Sequence, residues 1–65
     1  MDDLTKRHVK LLADADDCDL VANRTEGPAA RETFRRIAMK LREDAAGVAV
    51  VIKIRSKQQA ETVID

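Results

Sequence analysis

The chain is poor in residues that stiffen small folds and in residues that do chemistry. It holds one cysteine, one histidine, one proline, two glycines and one aromatic residue. One cysteine excludes an internal disulfide. A lone Cys18 and a lone His8 are too few for a zinc site built from protein ligands alone. Gly27 and Gly47 lie too far apart to form a phosphate-cradling loop. One histidine cannot support a nucleophile–base–acid set. With Phe34 as the only aromatic residue, nucleic-acid bases find no stacking platform. Neither sign of charge dominates: 12 basic residues face 12 acidic ones, for a net charge of zero. No global field therefore draws the chain to a polyanion. The longest weakly polar run, 45–52, falls far short of the ~20 residues that span a bilayer. The start, Met1-Asp2-Asp3, carries no apolar leader segment. These absences argue against an enzyme, a cofactor, a metal and a membrane, and lead us to expect a cytoplasmic protein.

What is present is helical periodicity. Residues 25–47 read as one amphipathic helix with its own boundaries. Pro28 suits a first helical position, where its missing N–H has no partner to lose. Ala30, Phe34, Ile37, Leu41, Ala45 and Val48 recur in steps of three and four, which is one apolar stripe. Phe34 is the expected centre of the core. Gly47 offers a left-handed cap that would end the helix.

The preceding residues carry a second stripe: Leu4, His8, Leu11, Ala15, Cys18 and Ala22, widened by Leu12. Asp2 or Asp3 suits its N-cap. A rival reading makes 7–12 a short strand and 15–24 a shorter helix, because aspartates at 14, 16, 17 and 19 are poor helix formers. The unbroken apolar period favours the continuous helix. The short turn at 23–27 predicts antiparallel packing. That places Ala22 near Ala30, Cys18 near Phe34, Ala15 near Ile37 and Leu11 near Leu41, with the aspartates beside Arg31, Arg35 and Arg36.

Residues 48–55 change character. Val48, Val50, Ile52 and Ile54 alternate with Ala49, Val51, Lys53 and Arg55. Period two with dense β-branching predicts a strand. A lone strand leaves an open edge; within the chain only 7–12 could pair with it, and otherwise the expected partner is the same strand of a second copy, paired antiparallel across a two-fold axis. Beyond it, Ser56 and Gln59 have capping-box spacing, and Ala60, Val63 and Ile64 share a face of a further helical turn. The expected fold class is mainly α with a C-terminal β-strand (α+β). An antiparallel hairpin of helices at about 4–24 and 28–46 leads to a strand at about 48–55, all in one small domain.

Each candidate site has a plain reading beside the functional one. His8 reads as a boundary residue of the stripe. Cys18, among Asp16, Asp17 and Asp19, reads as a buried structural thiol, since neighbouring acids disfavour a thiolate. The acidic cluster lacks the central glycine and terminal glutamate of a calcium loop and reads as a face neutralised by arginines. Arg31, Arg35, Arg36, Lys40, Arg42, Lys53 and Arg55 are candidate nucleic-acid contacts, with an internally paired, solvated face as the favoured alternative. Val48, Val50, Ile52 and Ile54 are the candidate dimer interface.

Residues 18–45 resemble a pattern of short, uncharacterised alpha-proteobacterial helical-hairpin proteins. It is carried by Cys18, Val21-Ala22, Thr25, Gly27-Pro28, Arg31, Phe34, Ile37-Ala38 and Leu41. Two positions depart from it: Gly27 stands where the pattern has a capping aspartate, and Leu41 where it has tryptophan. The resemblance implies a helical hairpin and brings no activity with it.

Ten alanines, at 13, 15, 22, 29, 30, 38, 45, 46, 49 and 60, leave a thin core. A chain this short buries only about 60% of its unfolded surface, so self-association is the cheapest staple left. The sequence thus points to a non-enzymatic interaction or homo-oligomeric assembly module. A small nucleic-acid-binding regulator is the alternative, and no further protein partner is indicated.

Overall fold

The computed structural model describes residues 2–64 and, within them, side chains up to Gln58. Two helices make the fold: α1, Asp3–Arg24, and α2, Pro28–Ile64. At 1.5 Å per residue they are about 33 and 55 Å long. The longer value accounts for the 58 Å long dimension of the molecule, whose other extents are 17 and 12 Å.

The helix starts follow from local chemistry. Asp2 is the N-cap of α1, and its Oδ1 accepts from the Thr5 backbone N–H at 2.8 Å. That hydrogen bond, above all, holds the Asp2 carboxyl below its ordinary value of 3.8. A lowered carboxylate pKa stabilises the fold above the unfolded value, and the benefit is lost as pH falls through the folded value. Asp2→Ala is therefore expected to lower the thermal midpoint at neutral pH. The gap to the natural chain should close on acidification below pH 3.8. Far-UV circular dichroism melts across pH check this, and a gap unchanged in acid would count against the cap.

At the other end of α1, the Thr25 N–H donates to Ala22 O at 3.2 Å. The Thr25 hydroxyl donates to Val21 O at 2.6 Å. Pro28 then opens α2, as its fixed φ favours. The link is only Thr25–Gly27, so the helices return antiparallel.

The two helices meet along a heptad seam. On α1 it runs Leu4, His8, Leu11, Ala15, Cys18, Ala22 and Thr25. On α2 it runs Arg31, Phe34, Ala38, Leu41, Ala45, Val48 and Ile52. Steps alternate between three and four throughout, which is the coiled-coil period. Every one of these residues is buried or half-buried. Only alanines are fully covered: Ala15, Ala22 and Ala38 at 0% exposure and Ala45 at 1%. A methyl at every seventh position is small enough for two helix backbones to lie close.

Three expectations need correction. First, residues 48–55 are not a strand. No strand occurs among the described residues, and α2 continues through them to Ile64. No glycine has positive φ, so Gly47 is an ordinary helical residue and not a cap. Helix costs Gly47 about 1 kcal/mol relative to alanine, and each valine a few tenths. Against this stand the flanking Ala45, Ala46 and Ala49, and the seam contacts of Val48 and Ile52. A strand here would also leave its backbone groups unpaired, whereas a helix satisfies its own. Ser56 is accordingly interior to the helix and caps nothing. The grouping of Ala60, Val63 and Ile64 lies outside the described side chains.

Second, the α2 stripe is shifted at two positions. Ala30 and Ile37 are exposed, and Arg31 and Ala38 take the seam. Third, Phe34 lies on the seam but is only half-buried, so the core is centred on methyl groups and not on its ring.

Candidate functional site

The basic residues do not form one surface. Arg31 is a seam residue: its Nε donates to Thr25 O at 3.2 Å and an Nη to Glu26 O at 3.3 Å. Its aliphatic stem covers the end of the helix pair while its charge binds the link. Arg36 pairs with Glu32 one turn away at 2.9 Å, both side chains exposed. Arg42 reaches across to α1 and donates to Asp16 Oδ1 at 3.1 Å and to Asp19 Oδ2. The hydrogen bond to Asp19, then that to Asp16, raises the Arg42 pKa above its ordinary value. Arg35 borders the same flank, in a shallow groove with Asp19, Met39 and Ala46. Lys40 and Lys53 point to solvent elsewhere on α2. Arg55 lies near enough to the start of α1 to help lower the Asp2 pKa.

The arginine that answers the acidic cluster is thus Arg42, and not Arg31, Arg35 or Arg36. Asp14 pairs within α1, with Lys10 at 3.6 Å. Sequence spacing missed Arg42 because the expected register, with Cys18 near Phe34, set the aspartates a turn or more too early along α2. The contact depends on which flank of the seam each helix turns toward the other. Among the described residues, no group of three or more His, Cys, Asp and Glu is placed to hold a metal ion. Cys18, expected to be buried, is a free thiol only half-buried, on the same α1 seam as the half-buried His8.

The proposed dimer residues are split by the helix. Val48 and Ile52 turn toward α1 and are half-buried. Val50 and Ile54 turn away and are 55% and 51% exposed. Val51, which period two assigns to the opposite side, joins them at 44%. The helical period thus replaces the alternating face with a new one made of Val50, Val51 and Ile54, one to two turns beyond Gly47.

Beside this face an open groove of about 600 Å³ runs between the helices, floored by Leu4, Leu11, Val48 and Val51 and edged by Arg7, Asp44 and Gly47. A Cβ added at Gly47 would meet nothing within 4 Å. Because α2 is about 20 Å longer than α1, its distal part projects past the partner helix. Val51 lines the groove beside Leu4 and Arg7, so the exposed apolar face starts within the hairpin and reaches the overhang at Ile54, and an exposed apolar patch marks an interaction site. Among the described residues, no helix is long and apolar enough to cross a membrane. No family model matches this sequence, and neither a curated protein nor a solved structure matches it.

Proposed function

We propose that this chain is a non-enzymatic protein-interaction module that assembles with itself through the distal part of α2. One observation carries the reading: Val50, Val51 and Ile54 stay 55%, 44% and 51% exposed on a helix that outruns its partner. A helix that is apolar on more than its seam is normally covered on that second side. The hairpin has little of its own to cover it with, since among the described residues the fully buried positions are all alanine. A reducing compartment, the cytoplasm, suits a chain whose one cysteine stays a free thiol.

Sedimentation equilibrium at micromolar concentration tests this. The natural chain is expected to sediment at a multiple of 7.2 kDa. The pair Val51→Lys and Ile54→Lys, which adds charge to an already exposed face, should return it to a single folded chain. A natural chain that is folded and monomeric across the whole concentration range defeats the proposal.

A further inference from the structure

We infer that the second copy docks antiparallel along the outer face of α2, about a two-fold axis at Val50 and Val51, with Ile54 of each copy seated on Gly47 of the other. The inference rests on the self-assembly proposed above and adds the register.

Gly47 is the starting point. Its backbone is helical and its φ is not positive, so conformation does not require glycine. Crowding within the chain does not require it either, since an added Cβ meets nothing within 4 Å. Glycine nonetheless weakens a helix interior relative to alanine. A missing side chain on an exposed helix face leaves a gap that a side chain from outside can fill. The gap lies on the same face as the exposed Val50, Val51 and Ile54.

The residues around the gap are self-complementary. Asp44, Gly47, Val51, Ile54 and Lys57 follow one helix face in steps of three and four, Val50 adjoins them, and all are exposed. Reversing this face against itself about an axis between residues 50 and 51 places Val50 of each copy on Val51 of the other. The same register lays the bulky Ile54 over Gly47 and the cationic Lys57 over the anionic Asp44, each pairing occurring twice. Large meets small and positive meets negative, as an isologous interface requires. The seam with α1 lies about a third of a turn away on α2, so the hairpin contacts persist when two copies meet.

Gly47→Leu and the charge pair Asp44→Lys with Lys57→Asp test the register, read by sedimentation equilibrium with circular dichroism as the fold control. Leucine favours helix more than glycine does and meets nothing in its own chain, so helicity is expected to hold. Self-association should weaken by at least roughly tenfold as Ile54 loses its seat. Each single charge reversal sets two like-charged pairs in the interface and should weaken association roughly fivefold. The double reversal should restore it. If Gly47→Leu assembles as the natural chain does, or the double reversal fails to recover what the singles lose, this register is overturned while self-assembly stands. If the natural chain is monomeric, both fall.

Discussion

Ala38→Leu is expected to unfold much of the hairpin. Ala38 is 0% exposed on the seam, level with the half-buried Cys18 of α1 and between the levels of the fully buried Ala15 and Ala22. Three added heavy atoms force the helices apart and strip cover from the half-buried Phe34 and Leu41 on either side. Overpacking of this kind costs about 1–3 kcal/mol. A scaffold this small rarely has more than about 3–5 kcal/mol to lose. The thermal midpoint should fall by about 10 °C, with the unfolded fraction visible at room temperature. Ala29→Leu adds the same atoms at an exposed position and should change stability by less than about 0.5 kcal/mol. Parallel melts followed at the helical band compare the two. Equal midpoints would mean the seam is not closely packed.

Gly47→Pro is the second large effect, and it separates a continuous α2 from a helix that stops. Proline in a helix interior removes one backbone hydrogen bond and collides with the carbonyl four residues earlier. Relative to glycine the cost is about 2 kcal/mol from propensity alone. Residues 48–55 should lose their docking on α1, because the kink swings Val48 and Ile52 off Leu4 and its neighbours. Gly47→Ala should act in the opposite direction, gaining about 1 kcal/mol in the single-chain fold, where its methyl meets open space. Were Gly47 a left-handed cap, alanine would destabilise and proline nearby would be tolerated. Urea titrations at dilutions below self-association measure both. The two variants moving the same way would refute a helix running through residue 47.

Much of the fold was legible because it is set by neighbours in the chain. Asp2 caps what it precedes, Pro28 opens what it begins, and the three-residue link leaves antiparallel return as the one compact option. The α1 stripe was readable except for Leu12, which is 39% exposed, and it ran on through the acidic stretch because the apolar step never broke. The errors have a common cause. Val48, Val50, Ile52 and Ile54 satisfy a period of two, while Val48 and Ile52 also satisfy the heptad that begins at Arg31. Periodicity alone does not rank the two, and β-branching favoured the wrong one. Ala30 and Ile37 looked like stripe residues because they are apolar, whereas Arg31 and Ala38 hold the seam because they are in phase with α1.

The order of residues alone settled that two amphipathic segments would fold back on each other around a thin, alanine-rich contact. Short-range rules suffice for that, because caps, links and helical phase are decided within a few residues. Only the packed pair decided where α2 ends, which side of it faces α1, and which arginine meets the aspartates. Those outcomes depend on contacts between residues 23 to 26 positions apart, as in the Arg42 pairs with Asp19 and Asp16. No local preference encodes such contacts until the two helices have chosen a common seam.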